Sequence, residues 1–443
     1  RSHHFMHKLS TFQIAVIGVF IFFTLLAVGV FSGIIPFFSN APEGVGGEAV
    51  LWGTLPAEHF RDPLEEMNRT NEGLFKVVYV EKDARTFDDD LVEALASGRG
   101  PDMILLPQEL IVRHADKAYP LPYENMSVRS FRDTFVEEGE LYLVPEGIMG
   151  LPFSVDPLVM YWNRDMFSSA GISVPPATWD EFFTLVPMLT KIDNARNVLR
   201  SGVSFGEFSN VEHAKEILAL LILQAGNPII EKTDSGYMSV LAENRGMSTN
   251  PAQSALRFYT EFSNPAKTTY SWNRSLPSSK DVFIAGDLAM YFGFASELDD
   301  IEKKSPHLNF DIAPAPQAKD TTARMTYGNM QAIVVLKSSK NPTTAFYAAS
   351  FMTSPEFNFV FSTISALPPP RRDLLKNIPP SAFGKIFYDG ALTARGWFDP
   401  SPEETAAVFK TMVENTVSGK ERISDAVVRA SAGIQTIIPK PIR

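Results

Sequence analysis

At 443 residues, 45% apolar and 21% charged, the chain is too long for one ordinary core and has the composition of a globular protein, not a disordered or fibrous one. Its formal charge of −11 speaks against a general affinity for nucleic acid, since neutralising phosphate needs a basic surface. With no cysteine, a disulfide framework, a thiol nucleophile and cysteine-based metal sites are excluded.

Residues 1–10 read as a cytoplasmic leader. Met6 is a candidate start, and His3, His4 and His7 fit a tag scar or misplaced start better than a metal site. No charged residue occurs from Leu9 to Pro42, and Ile14 to Ile35 is almost wholly apolar. As a helix it would rise ~33 Å, enough for a hydrocarbon core of ~30 Å. Lys8 precedes it and Glu43 and Glu48 follow, which favours an N-terminus inside and a body outside. The expectation is a transmembrane anchor over 11–38. A cleaved signal peptide is the rival, but its apolar region is normally shorter and no small-x-small site follows.

The Pro- and Gly-containing stretch 39–47 reads as a tether. After it, "AVLWGT", "FKVVYVEK" and "PDMILLP" predict strands, and "EHFRDPLEEMNRT" and "DDDLVEALASG" predict helices between them. Strands alternating with helix-length segments imply βαβ units and a parallel sheet. Thr178 to Glu181 and Ser209 to Glu212 have the spacing of capping boxes. Asn250-Pro251, Asn341-Pro342, Ser354-Pro355 and Ser401-Pro402 place a capping residue before a first-turn proline. The helix-rich second part is interrupted by strand-like "LAMYFGF", "FDIAPAP" and "MQAIVVL".

No nucleophile elbow, zincin helix, P-loop or dinucleotide fingerprint occurs. His59, His114, His213 and His307 lack ligand spacing and read as surface histidines. Asp88 to Asp90 suit the start of a helix. Glu137-Glu138 and Asp299-Asp300 would serve a glycosidase only if facing carboxylates met across a cleft. Aromatics carry more information. Trp52 ends the first strand, where α/β sheets place ligands. Trp52, Trp272 and Trp397 each lie beside glycine or polar residues and are expected to be the more exposed tryptophans, although core packing is the commoner role of any aromatic.

The segment "LPFSVDPLVMYWNRDMFSSAGISVPPATWDEF" resembles the family 1 extracellular solute-binding proteins through Tyr161, Asn163, Ala170, Gly171, Pro175, Pro176 and Thr178 to Glu181. "LASGRGPDMILLP", "DVFIAGDLAMYFG", "FDIAPAPQ", "TYGNMQAIVVLKSSKNPTTAFYAASFMTSPEFNFVF" and "ALPPPRRDLL" continue the likeness in order from Ala49 to the C-terminus. The resemblance implies a two-lobe α/β periplasmic-binding-protein-like fold of type II with a crossover hinge, similar to maltose-binding protein. Lobe one would comprise 48–154 and 328–364, and lobe two 155–327 and 365–443. It implies a monomeric, non-enzymatic receptor without cofactor or metal. Such a receptor captures a sugar or oligosaccharide in the interlobe cleft and delivers it to the transmembrane subunits of an ABC permease.

The cleft-lining positions it implies are Trp52, Gly53, Thr54, Phe153, Ser154, Gly293, Phe294, Tyr327, Gly328, Asn329 and Trp397, with Trp272 added as an exposed aromatic. Trp162 departs from the family's step from Tyr to Asn, and a membrane helix stands where the family has a lipid-bearing cysteine. Expected localisation is therefore the cell membrane, with the body on the extracytoplasmic side. Competing readings are an anchored surface glycoside hydrolase and a non-transporting sensor or adhesin.

Overall fold

The computed structural model describes residues 44–440, apart from 235, 320 and 322. The expected membrane-spanning segment lies outside the described residues. Among the described residues, no helix is long and apolar enough to cross a membrane.

The first half follows the expected alternation: β1 (Gly47–Gly53), α1 (Glu58–Thr70), β2 (Phe75–Glu81), α2 (Phe87–Ala96) and β3 (Met103–Pro107). β1 pairs in parallel with β2 along its length and with β3 near its end. Every residue of β3 is buried because both faces of the sheet are covered. Met103 and Leu105 enter one apolar cluster, and Ile104 and Leu106 enter the other, as strand alternation requires.

The chain continues through β4 (Leu151–Asn163), α3 (Phe182–Leu189), β5 (Val198–Val203), α4 (Ala214–Gln224), α5 (Pro251–Glu261), β6 (Leu288–Phe294), β7 (Phe310–Pro314) and β8 (Thr326–Val335). It ends in α6 (Pro342–Met352), α7 (Pro355–Ser365), α8 (Gly384–Thr393), α9 (Pro402–Val417) and α10 (Ile423–Ile437). β4 is the link. From Leu151 to Pro157 it pairs antiparallel with β8, which in turn pairs with β3. From Leu158 onward it pairs with β6 on one side and β7 on the other. One strand therefore belongs to two lobes, and the exchange of partners falls between Pro157 and Leu158. A bulge at Phe153 shifts the register against Gln331 and Ala332.

Each lobe has its own core. Leu158 to Trp162 pack with Trp179, Phe182, Phe205, Tyr259 and Phe292 in the second. In the first, Phe153 is wholly buried among Phe60, Phe357 and Phe361. Leu375, Ala391 and Ala394, late in the chain, pack with first-lobe residues.

Several helix starts form as their sequences dictate. Thr178 and Glu181 make a capping box, and Asn250 and Ser354 accept from the amides of Gln253 and Phe357. The box expected at Ser209 does not form, because α4 begins only at Ala214, after His213 in the left-handed region (φ 57°). Tertiary partners take the groups it would use: the Glu212 amide donates to Ser279 Oγ (2.9 Å), and Ser278 Oγ donates to the Glu212 carboxylate (2.8 Å).

Two histidines expected on the surface are corrected by carboxylates. His114 is buried with Nε2 2.6 Å from Asp88, the residue expected only to favour a helix start. His213 Nε2 is 2.7 Å from Glu297. Glu297 also accepts from Tyr291 Oη (2.7 Å), the Phe294 amide (2.8 Å) and Lys280 Nζ (2.9 Å), which fixes the end of β6. Burial opposes the Glu297 charge, but His213 and Lys280 outweigh it and hold the carboxyl down at about 2. This depressed carboxyl contributes stability that is fully present above its ordinary value of 4.5 and is lost as pH falls toward 2. Glu297→Gln is expected to lower unfolding free energy by about 3 kcal/mol at pH 7 and to flatten the acid limb between pH ~4.5 and ~2 in urea titrations.

Candidate functional site at the lobe junction

Where β4 and β8 cross between the lobes, the carboxyl ends of β1 and β3 arrive from lobe one and the segment Ala394–Arg395 pairs with Thr326 and Tyr327. β3 runs directly into Gln108 and Glu109. Gln108 donates its amide to the Gly328 carbonyl, tying the end of β3 to the crossover. Two glycines permit this approach. A Cβ on Gly328 would lie 2.3 Å from a Glu138 carboxylate oxygen, and one on Gly396 would lie 2.3 Å from Gln108 Oε1. Any side chain at either position would drive these groups apart.

Contacts across the junction come from both lobes. Arg113 in lobe one lies 3.6 Å from Glu403 in lobe two, and Lys232 Nζ donates to the Leu143 carbonyl (3.0 Å). Phe398 packs against the cores of both lobes. Arg395 forms an ion pair with Glu137. Lys215, on α4, donates to Asp399 (2.9 Å) and to the Pro402 carbonyl (3.2 Å). Burial opposes the Lys215 charge, yet Asp399, Glu216 and Glu109 raise its pKa overall.

Buried polar atoms here lack partners. Among the described residues, Gln108 Oε1, both Glu138 carboxyl oxygens and the Trp397 indole N–H are buried without a hydrogen-bond partner. Desolvation pushes the Glu138 carboxyl up to about 8 against the pull of Arg395. It pushes Glu109 up to about 7, against the pull of Lys215. Asp156, on β4, rises to about 6 by burial, although Ser296 bonds to it. Surface grooves lie elsewhere: about 730 Å³ lined by Arg257, Lys267 and Arg422, and about 740 Å³ lined by Met67, Phe351 and Val360. Neither is lined by a buried polar side chain without a partner, which makes the junction the stronger site.

The structure sorts the expected positions. Tyr327 is buried with its ring 6.4 Å from that of Phe294, Gly328 adjoins Gln108 and Glu138, and Trp397 follows Gly396 at the same junction. Asn329 pairs with Asp156 in the crossover, and Ser154 is buried opposite Gln331. Gly293 lies against Tyr291 and Glu297. Trp52, Gly53 and Thr54 end β1, where Lys82 Nζ sits 3.7 Å from the centroid of the Trp52 ring. Three expectations are corrected. Phe153 faces the lobe-one core, because the bulge turns it inward. Trp272 is wholly buried in lobe two, its indole N–H donating to Asn210 (3.1 Å). Trp397 is 2% exposed, so it is not an open platform. Sequence reasoning missed Gln108, Glu109, Lys215 and Asp399. The rule that singled out Trp52 also marks Gln108 and Glu109, since both follow the end of a parallel strand.

The pattern described as a bacterial extracellular solute-binding protein matches residues 62–382. A binding protein of Brucella abortus (strain 2308) is 23% identical over 367 residues, 79% of this chain and 82% of its own length. The diacetylchitobiose binding protein DasA of Streptomyces coelicolor is 22% identical over 303 residues, covering 66% of this chain and 64% of its own. Among solved structures, the sugar-binding protein MalE from Xanthomonas citri superposes with a TM-score of 0.71 at 18% identity, covering 88% of this chain and 97% of that one.

A raised carboxyl contributes stability that is full below its unfolded value and is lost as pH rises through its folded value. For Glu138 that window runs from 4.5 to about 8. Glu138→Gln is therefore expected to be more stable than the parent at pH 8, by about 2 kcal/mol or more, with the gap closing toward pH 5 in urea titrations.

Proposed function

The chain belongs to the bacterial extracellular solute-binding proteins, a family of binding proteins and not enzymes, and from that premise we propose that it captures a sugar or oligosaccharide between its lobes and delivers it to an ABC-type permease. The carrying observation is the set of unfilled hydrogen-bonding groups at the junction, Gln108, Glu138 and Trp397, beside Tyr327 and Gly328. A hydroxylated solute supplies both donors and acceptors to such a set, and ring faces contact aromatic side chains. The ligands of relatives, diacetylchitobiose for DasA and sugar for MalE, point the same way.

In this reading lobe one is 48–154 with 328–364, and lobe two is 155–327 with 365–443. The solute is contacted by Trp52, Gly53, Thr54, Ser154, Gly293, Phe294, Tyr327, Gly328, Asn329 and Trp397. Phe153 and Trp272 take no part. Rotation of the lobes about β4 and β8 closes the site, and the solute shifts the population toward the closed form by its greater affinity for it. An N-terminal helix over 11–38 tethers the monomeric body to the cell membrane, on the extracytoplasmic side, within reach of the permease.

Among neutral mono- and oligosaccharides screened by thermal shift, at least one is expected to stabilise the protein by about 2.7 kcal/mol at a hundredfold excess over its Kd. Trp397→Ala is expected to abolish that shift. No stabilisation by any saccharide, together with scattering curves unchanged by all of them, would remove the proposal.

A further inference from the structure

Trp397 belongs to a stretch that no strand or helix holds. The segment 396–401 follows Ala394–Arg395, which pairs with β8, and ends where α9 begins at Pro402. Its upstream end abuts lobe one, since a Cβ on Gly396 would lie 2.3 Å from Gln108 Oε1. Downstream, the bonds converge on Asp399, which is buried. Its carboxylate accepts from Lys215 Nζ (2.9 Å), the Ser401 amide (3.1 Å) and Thr405 Oγ1 (2.8 Å). Its own amide donates to the Trp397 carbonyl (3.0 Å). Lys215, also buried, donates as well to the Pro402 carbonyl (3.2 Å), so one ammonium grips the chain on both sides of Ser401. Thr405 and Phe409 lie one turn apart on α9, and the Phe409 ring meets the Trp397 ring edge-on at 6.1 Å.

A buried ion pair is a poor device if stability is its only end. Desolvating both charges offsets most of their attraction, and an apolar pair of similar volume does as well. What the pair adds is direction: the ammonium commits two donors and the carboxylate is engaged by three partners, which fixes both side chains. The neighbouring element is held in the same way. His213, the residue before α4, bonds to Glu297, whose carboxylate accepts from the Phe294 amide. The start of α4 thus reaches two distant segments, each carrying an aromatic residue of the junction.

Resting on the proposed role as a solute receptor, we propose that Lys215 is a positioning residue: through Asp399 it sets the segment 396–401 so that Trp397 stands at the lobe junction to contact the solute. Without the ammonium the segment samples other arrangements, and affinity falls in proportion to the time Trp397 spends out of place.

The test uses the full chain with its five tryptophans replaced by 5-fluorotryptophan, the Trp397 fluorine resonance being assigned with Trp397→Phe. Lys215→Met keeps the apolar stem but leaves Asp399 buried without its cation, so its urea midpoint is expected to fall. Lys215→Met with Asp399→Asn removes both charges, and its midpoint is expected to return toward the parent's. In both variants the Trp397 resonance is expected to move and to gain solvent-isotope shift, with the other four in place. Maltotetraose and N,N′-diacetylchitobiose serve as binding probes. Whichever the parent binds is expected to bind the double variant about tenfold more weakly. In a Trp397→Phe background the same two changes are expected to cost about twofold or less. A Trp397 resonance unmoved in both variants overturns the inference. So does a displaced Trp397 with parental affinity, or a tenfold loss that persists in full without the indole. If the parent binds neither saccharide, the resonance alone decides: displaced, it leaves the placement by Lys215 standing and counts only against the saccharide reading; unmoved, it overturns the placement.

Discussion

Everything in this molecule depends on one strand being long enough to serve two sheets. β4 pairs with β8 as far as Pro157 and with β6 and β7 from Leu158. Proline has no amide hydrogen, so at Pro152 and Pro157 the ladder lacks a donor and the strand bends with less resistance. The lobes are therefore joined by continuous backbone pairing instead of a loose linker. In the proposed closure, such pairing leaves twisting at a few residues as the hinge. The same crossing brings Gln108, Gly328 and Gly396 into contact, so hinge and site are assembled by one arrangement.

The buried carboxyls show how partners decide ionisation where burial alone cannot. Glu297 and Glu138 are both withdrawn from water, yet one is held at about 2 and the other is raised to about 8. Glu297 accepts from His213, Tyr291, Lys280 and a backbone amide, whereas among the described residues the Glu138 oxygens have no well-formed hydrogen bond and only a weak pull from Gln108. The first is a structural lock in lobe two; the second lies where the lobes meet, unfinished in the hydrogen-bonding sense. Such unfinished polar groups are rare in native interiors and mark places where something else completes the set.

Much of the fold was legible because its signals are local. The alternation of β1 to β3, the proline-started helices and the Tyr161–Asn163 phrase all depend on near neighbours in sequence. Errors arose where tertiary partners reinterpret a local pattern. Trp272 is flanked by Ser271 and Asn273, which suggests a wet loop. Ser271 is instead wholly buried, accepting from the amides of Gly202 and Val203 (2.8 and 3.1 Å) along β5. Polar neighbours were thus core groups with distant partners. The place of Phe153 was hidden because strand alternation does not reveal a bulge, and the burial of Glu138 could not be foreseen because it depends on the distant crossover at Gly328. The site was legible at the ends of strands, where one rule suffices, and illegible where charges from distant segments meet.

The pairing of β8 with both β3 and β4 also sets an order of assembly on the ribosome. The lobe-two sheet draws on strands between Leu158 and Pro314 and can close once that stretch has emerged. The lobe-one sheet cannot, because the free edge of β3 is covered only when Gln331 to Val335 arrive. At ordinary elongation rates this delay is on the order of ten seconds or more. Throughout it, "MILLP" is an unpaired apolar edge, the kind that recruits neighbouring strands into aggregates. The sheet of the later-starting lobe is thus the first able to close, although its core is completed only when Phe409, Met412, Val427 and Ile434 arrive on α9 and α10, and the edge at Met103 to Pro107 stays open meanwhile.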